Sequence, residues 1–253
     1  MALAKVHLAS SALGMCISCN VILPQRKDTA QNHPLPVLWL LHGAYGNYTD
    51  WIRKSNIERY VAPYGLAVVM PDAQNSCYTD MAHGRKYYTC IAEELPVALR
   101  KYFNFSDKRE DNFIAGLSMG GRGSLMIGLS KPEKYAAIGC LSAGAFHQGK
   151  SPMRDLAFGR GKLENTYKDP FGSAKKILEK DLPCPRIYHA CGTEDFLLSD
   201  ARSTRDFFDA LPGNPFSYEY HEDPGDHTWD FWDEHIKEFI QFLNLPKVNN
   251  EYI

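Results

Sequence analysis

A serine set between glycines is the first residue of this 253-residue chain that could do chemistry. Ser118 stands in Gly-Leu-Ser-Met-Gly at 116–120, after the apolar run 112–115 and before a helical pattern. G-x-S-x-G between a strand and a helix is the pattern of a sharp turn that presents a nucleophilic serine at a sheet edge. The pattern predicts a serine nucleophile, and the alternative is a tight turn with an incidental serine.

A serine hydroxyl needs a histidine as base and an acid that orients the histidine. Asp195 follows a predicted strand in the segment Cys-Gly-Thr-Glu-Asp, and His227 follows the next one in Glu-Asp-Pro-Gly-Asp-His. The chain order Ser, Asp, His is that of the α/β-hydrolase arrangement. Glu194 is the alternative acid, and the G-x-x-D spacing favours Asp195. Asp226 is expected to be a structural neighbour of the histidine.

The other histidines lack this placement in a loop between a strand and a helix. A lone histidine is more often a hydrogen-bonded structural residue than a catalytic one, so a structural role is expected for His83, His147, His189, His221 and His235.

Acyl transfer also requires N–H donors for the oxyanion that forms on the carbonyl. One expected donor is the backbone N–H of Met119, which follows the nucleophile. The other is expected in His-Gly-Ala-Tyr-Gly at 42–46, where a buried strand ends in small residues. Ala44 is the candidate there, Tyr45 the alternative, and His42 is expected to brace the loop.

Aromatic residues near these motifs are candidates for the walls of an ester pocket, because such walls are mostly apolar. The substrate-binding candidates are Tyr45, Tyr78, Phe146 and Trp229. Core packing is the alternative for Phe146 and Trp229.

Short apolar runs alternate with helical patterns, which predicts an α/β fold with a mostly parallel central sheet and helices on both faces. The predicted strands are Ile17–Leu23, Val37–Leu41, Ala67–Met70, Asn112–Ala115, Ala137–Leu141, Ile187–Ala190 and Ser217–His221. The predicted helices include Tyr88–Tyr102, with a kink at Pro96, Ser199–Leu211 and Trp229–Leu243.

The length and the hydrophobic fraction of 44% favour a single domain over residues 1–253. Residues 144–172 are rich in glycine and proline and show no sustained period, so an irregular insertion is expected there, as a candidate for a small lid near the active site.

The net charge and the pI indicate which classes of binding partner to expect. The net charge is −2 and the pI is about 6.5, so neither nucleic acid nor an anionic membrane is an expected partner. A small-molecule ester is expected, and a homo-oligomer is allowed. No apolar run approaches the roughly 20 residues of a membrane helix, and no secretory signal is apparent, so a cytoplasmic location is expected.

Seven cysteines, an odd number, are scattered through apolar contexts and are expected to be reduced thiols. Cys16 and Cys19 have C-x-x-C spacing, but on a strand they point to opposite faces and cannot share one metal ion. No metal and no cofactor is expected.

Six segments together resemble the esterase D-like family of α/β-hydrolases, nearest to tributyrin esterases and the acetyl and feruloyl carbohydrate esterases. They are 40–46, 47–51, 71–72, 116–121, 192–197 and 225–232, and the likeness covers nearly the whole chain. The resemblance implies a serine carboxylesterase that uses Ser118, Asp195 and His227 on short acyl esters, acetyl to butyryl, with acetylated or feruloylated carbohydrate among the candidates.

S-formylglutathione hydrolases are the other similar group, and they imply a thioesterase as the alternative function. That group carries a cysteine shortly after the glycine of the oxyanion loop, whereas Gly43 is followed here by Ala44, Tyr45, Gly46 and Asn47. A non-catalytic binding module with the same fold is a third, less favoured interpretation.

Overall fold

The computed structural model describes residues 1–25, 33–145, 152–159, 163–164 and 166–248. In these ranges one sheet contains eight strands, which are β1 Ala2–Ser10, β2 Met15–Leu23, β3 Val37–Leu41, β4 Ala67–Pro71, β5 Asn112–Leu117, β6 Ala137–Leu141, β7 Arg186–Gly192 and β8 Glu219–Asp223.

The sheet has the order β1-β2-β4-β3-β5-β6-β7-β8. β1 and β2 pair antiparallel, as do β2 and β4, and every later pair is parallel. The predicted mostly parallel α/β fold is therefore confirmed. The carboxyl ends of β3 and β5 to β8 all lie at one edge, where the crevice of an open α/β sheet forms.

Nine α-helical segments in the described ranges accompany the sheet. They are α1 Asp50–Lys54, α2 Ile57–Val61, α3 Tyr87–Thr89, α4 Leu95–Arg100, α5 Met119–Ser130, α6 Pro152–Phe158, α7 Pro170–Glu179, α8 Leu198–Asp209 and α9 Trp229–Phe242. Two 3₁₀ turns lie at Ala62–Tyr64 and Arg109–Asp111.

Both faces of the sheet are buried, because neighbouring residues of the parallel strands point into different cores. On β3, Trp39 belongs to the core under α5, and Leu38 belongs to the core under α2 and α9. Both side chains are at most 1% exposed. The unbroken apolar run on β3 thus reflects burial on both faces of a parallel sheet.

The helix predicted over 88–102 is a composite. A π-helical stretch, Cys90–Glu94, joins α3 to α4 just before Pro96. Proline has no N–H for the carbonyl of Ala92 four residues earlier, and the Lys134 ammonium donates to that carbonyl at 3.2 Å instead. The predicted irregularity at Pro96 thus takes the form of a π-helical turn.

The sequence analysis missed strand β1, although residues 4–8 alternate between apolar and polar as a half-buried strand does. Its pairing with β2 extends over all nine residues, from Ala2 opposite Leu23 to Ser10 opposite Met15. The tight turn at Gly14, with φ +60°, joins the two strands.

Residues 144–172 contain more regular structure than expected, since α6 and the start of α7 lie within them. The backbone N–H groups of Ala82 and His83 donate to the carbonyls of Ala157 and Leu156, both at 3.0 Å. α6 is thereby tied to the segment before α3, and a lid in this region stays a prediction.

The turn from β5 into α5 brings two backbones into contact. A Cβ on Gly120 would lie 2.6 Å from the carbonyl oxygens of Leu41 and His42, and one on Gly116 would lie 2.5 Å from the Gly120 carbonyl. Only glycine allows α5 to start this close to the ends of β3 and β5.

Gly120→Ala is expected to lower the free energy of unfolding by about 1–3 kcal/mol, because the added methyl group forces two backbones apart. Urea denaturation followed by circular dichroism measures the loss. Ser203→Ala, on the exposed side of α8, is the control and should stay within about 0.5 kcal/mol of the wild type. A Gly120→Ala variant as stable as this control would contradict the close approach.

Candidate active site

Three loops at the carboxyl edge of the sheet bring together the residues expected to form the triad. Ser118 lies between β5 and α5, Asp195 follows β7, and His227 lies between β8 and α9. Residues from three distant parts of the sequence therefore meet because parallel strands end at the same edge.

Hydrogen bonds connect the three side chains in a row. His227 Nε2 lies 3.0 Å from Ser118 Oγ, and His227 Nδ1 lies 2.8 and 3.0 Å from the two carboxylate oxygens of Asp195. An ionised carboxylate can only accept, so Nδ1 carries the imidazole proton and Nε2 is left to accept the Ser118 hydroxyl proton. This is the tautomer that a general base needs.

The backbone at Ser118 is strained. It has φ +53° and ψ −118°, a backbone conformation that residues other than glycine rarely adopt. The Ser118 N–H donates to the Leu141 carbonyl at 2.8 Å. The strained turn places Oγ above the sheet edge at the start of α5, within reach of the imidazole.

Asp195 is held as a carboxylate in a site where its side chain has no solvent exposure. Burial alone would raise its pKa, but hydrogen bonds from His227, from the Leu197 N–H and from the Ser142 hydroxyl outweigh burial and lower the pKa below its ordinary value. The acid is thus ionised at neutral pH.

Ser142 is a residue that the sequence analysis missed. It lies just after β6, is fully buried, and accepts a hydrogen bond from the Trp232 indole at 2.9 Å. An indole N–H only donates, so the Ser142 hydroxyl proton is free to point toward Asp195. A serine at the carboxyl end of a predicted strand, next to the strand that carries the acid, was the available signal.

The alternative acids occupy different positions. The Glu194 carboxylate accepts from the Gly225 N–H at 2.7 Å, and Asp226 accepts from the His227 N–H at 2.6 Å. Neither side chain makes the contact with the imidazole that Asp195 makes.

The expected oxyanion donors border the cavity that contains Ser118. Ala44 and Met119 both line this cavity, and neither N–H donates a hydrogen bond to any described residue. The N–H of the alternative, Tyr45, already donates to the Asn75 side chain at 2.8 Å. Ala44 and Met119 therefore stay the candidates for the two oxyanion donors.

His42 braces the loop after β3. Its Nδ1 donates to the Gly43 carbonyl at 2.7 Å, and its Nε2 accepts from the Ala73 N–H at 2.9 Å. Burial lowers its pKa, so the ring is neutral with the proton on Nδ1. The Tyr78 hydroxyl donates to the His42 carbonyl at 2.9 Å, which secures the loop from a third side.

A cavity of about 330 Å³ extends from Ser118 between α5, α6 and the start of α8. Its walls are mostly apolar, with two buried charged residues among them. The lining residues are Ala44, Tyr45, Cys77, Ser118, Met119, Arg122, Ala143, Gly144, Pro152, Met153, Phe158, Phe196, Leu197 and Asp200.

The structure places only some of the predicted substrate-binding residues at the cavity. Tyr45 lines the mouth of the cavity and is 90% exposed. Tyr78 is fully buried beneath the oxyanion loop instead of lining the cavity, and Trp229 packs edge-on against Trp51 and Trp232. Tyr78 differs from the prediction because it supports the loop after β3, and Trp229 because it packs between α1 and α9, which is the core packing given as its alternative. Phe146, like His147, lies outside the described residues.

Among the residues that the structure describes, no group of three or more histidine, cysteine, aspartate or glutamate side chains is placed to hold a metal ion. In the same residues, no helix combines the length and apolar character needed to span a bilayer.

Ser142→Ala is expected to destabilise the protein by about 1–3 kcal/mol at pH 7, because Asp195 loses a donor and the Trp232 N–H loses its acceptor. Removing a donor raises the pKa of Asp195, whose stabilising contribution is present above its unfolded pKa and lost as the pH falls through its folded pKa. The loss should therefore begin at higher pH in the variant, and the gap from the wild type should narrow on acidification.

Urea unfolding at a series of pH values from 7 to roughly 3 measures this gap. Ser130→Ala is the matched control, because its hydroxyl bonds to Tyr88 and the Ile127 carbonyl, away from any carboxylate. A gap for Ser142→Ala that is as independent of pH as that of the control would contradict the bond to Asp195.

The chain is similar over nearly its whole length to a known esterase and to known hydrolases. The chain is 30% identical to the acetyl esterase of Caldicellulosiruptor saccharolyticus, over 96% of this chain and 98% of the relative. Two similar solved structures are from Staphylococcus aureus, each 32% identical over 96% of this chain. They are the fluorophosphonate-binding serine hydrolase FphF, with TM-score 0.86 over 98% of its length, and the S-formylglutathione hydrolase FrmB, with TM-score 0.82 over 99%.

A family model covers almost the same span. The Esterase model, described as "Putative esterase", matches residues 10–243. The chain belongs to this esterase family of α/β-hydrolases.

Proposed function

We propose that the protein is a serine carboxylesterase in which Ser118 is the nucleophile, His227 the general base and Asp195 the orienting acid. The observation that supports it most is the row of contacts from Ser118 Oγ to His227 Nε2 at 3.0 Å and from His227 Nδ1 to Asp195 at 2.8 Å, beside an apolar cavity. These are the distances at which a base accepts a proton from its nucleophile.

The reaction takes two stages. In the first, His227 Nε2 takes the Ser118 proton as Oγ bonds to the ester carbonyl carbon, and the resulting imidazolium gives this proton to the departing alcohol oxygen. The ester C–O bond breaks and an acyl-enzyme remains. In the second, water loses a proton to His227 as it attacks the acyl carbon, and Ser118 recovers a proton when the acid leaves.

The charge that develops on the carbonyl oxygen lies against the N–H groups of Ala44 and Met119. Each such donor is worth about 3 kcal/mol of transition-state stabilisation in comparable sites. Both loops are rigidly held, one by His42 and the other by α5, so little reorganisation accompanies the reaction.

Short acyl esters, acetyl to butyryl, are the proposed substrates. The cavity wall carries the buried Arg122 and Asp200 beyond the apolar residues next to Ser118, and a longer alkyl chain would be forced against these charged groups. The acetyl esterase relative supports the same size range.

Ser118→Ala is expected to abolish labelling by a fluorophosphonate probe and to remove ester hydrolysis. Asp195→Asn should reduce kcat by about 10⁴-fold, because the amide fixes the wrong imidazole tautomer. Probe labelling followed by mass spectrometry and p-nitrophenyl acetate turnover measure both effects. Ser203→Ala is the control for the loss of a serine, and labelling that persists without Ser118 would reject the proposed nucleophile.

The acyl-length series provides a separate test of the substrate class. Values of kcat/KM for p-nitrophenyl esters should be greatest between acetate and butyrate and fall by about tenfold or more by octanoate, a difference of about 1.4 kcal/mol in barrier. A maximum at octanoate or longer would contradict the short-acyl proposal while leaving the triad intact.

Thioester hydrolysis is the second candidate, since a S-formylglutathione hydrolase is 32% identical over nearly the full length. The same triad cleaves a thioester, with a thiol as the leaving group. Including S-formylglutathione in the ester panel separates the two functions, because a kcat/KM for the thioester well above that for every ester would favour this candidate.

A further inference from the structure

The cavity beside Ser118 contains a buried cation that the proposed reaction does not use. Arg122 lies four residues after Ser118 on α5, about 6 Å further along the helix axis, and lines the same cavity. It is only 7% exposed. Burial lowers the pKa of its guanidinium to about 10, which still leaves it charged at neutral pH.

Few of the five N–H donors of Arg122 are used. Nη2 donates to the Lys168 carbonyl at 2.9 Å, whereas Nη1 has only the weakly accepting Met126 sulfur at 3.7 Å. Among the residues that the structure describes, Nε is buried and has no hydrogen-bond partner. Arg122 also forms no ion pair with any of these residues. The guanidinium carbon lies 4.5 Å from the centre of the Phe158 ring, another wall of the cavity.

A buried charged group with unused donors costs stability, so its presence calls for an explanation. A structural role alone is a weak explanation for the buried charge, because a single hydrogen bond to the Lys168 carbonyl does not require a guanidinium. A ligand oxygen that enters the cavity would occupy the unused donors and would be bound strongly, because hydrogen bonds from a buried, charged guanidinium are charge-assisted.

We propose that Arg122 is a specificity residue that binds an oxygen acceptor on the ester substrate, a few atoms away from the scissile bond. This inference rests on the proposed esterase function. Because the Asp200 carboxyl lines the same cavity, a neutral oxygen suits the site better than a second carboxylate. The substrate class is therefore esters whose acyl or alcohol part carries a hydroxyl or ether oxygen, as in alkoxy acids and polyols.

The test compares substrates that differ only by an oxygen in place of a methylene group. The acyl arm pairs p-nitrophenyl methoxyacetate with the butanoate, and 3-methoxypropanoate with the pentanoate. The alcohol arm pairs the butanoate ester of 2-methoxyethanol with that of butanol. The ratio of kcat/KM within each pair is compared between wild type and variant, so that the intrinsic reactivity of each ester cancels.

Arg122→Met keeps an unbranched side chain out to about the position of Nε and removes all the donors. We expect it to lower the oxygen-to-methylene ratio by tenfold or more in at least one arm, and to raise turnover of the pentanoate, whose alkyl chain no longer meets a cation. The arm that responds shows which part of the substrate enters the cavity. Arg122→Lys keeps the charge but has a single nitrogen, so a partial loss of the ratio is expected and tests the proposal should the methionine variant fail to fold.

Arg109→Met is the matched control, since Arg109 also donates to backbone carbonyls, those of Pro132 and Cys184, away from the cavity. It should leave every ratio unchanged. If Arg122→Met lowers kcat/KM equally for both members of every pair, the proposal is overturned and Arg122 has a structural role. A larger loss of kcat/KM for monomethyl succinate than for the neutral oxygen esters would also overturn the proposal. If instead no ester is cleaved in a Ser118-dependent manner, the proposed function itself fails.

Discussion

The first turn of α5 rests directly on the backbone that ends β3 and β5, at the contacts of Gly116 and Gly120 with neighbouring carbonyl groups. This contact joins the strained Ser118 backbone, the Met119 N–H and the loop that presents the Ala44 N–H into one rigid unit. Arg122 belongs to the same unit, since it lies one helical turn further on. The proposed nucleophile, the candidate oxyanion donors and the buried cation thus keep fixed positions relative to one another.

The other half of the site is a second unit, formed by the loops after β7 and β8. The Thr193 and Glu194 N–H groups donate to the Asp223 and Gly225 carbonyls, both at 2.9 Å, and the Gly225 N–H donates to the Glu194 carboxylate. These bonds hold the loop that carries Asp195 against the loop that carries His227. Glu194, which the sequence offered as an alternative acid, has this supporting position instead.

Much of the architecture was predictable because its causes are local. Apolar runs of strand length alternate with helical periods, and the loops after β5, β7 and β8 each carry one residue of the proposed triad. Ser118, Asp195 and His227 could therefore be named from chain order and from the rule that parallel strands end at one edge. Strand β1 was overlooked although residues 4–8 alternate between apolar and polar, and Ser142 although it follows a predicted strand. The roles of Arg122, Tyr78 and Trp229 depend on packing between distant segments, which no local pattern records.

The antiparallel and the parallel parts of the sheet also differ in what they contribute to the site. The antiparallel end, made of β1 and β2, contributes no atom to the row from Ser118 to Asp195, and the reactive loops all follow strands of the parallel part. The hairpin approaches the site at Tyr48, whose carbonyl accepts from the Asn20 side chain and whose ring lies under Lys5. A protein engineer who needs a place for a fusion therefore has more freedom at that end of the molecule than at the loops after β5, β7 and β8.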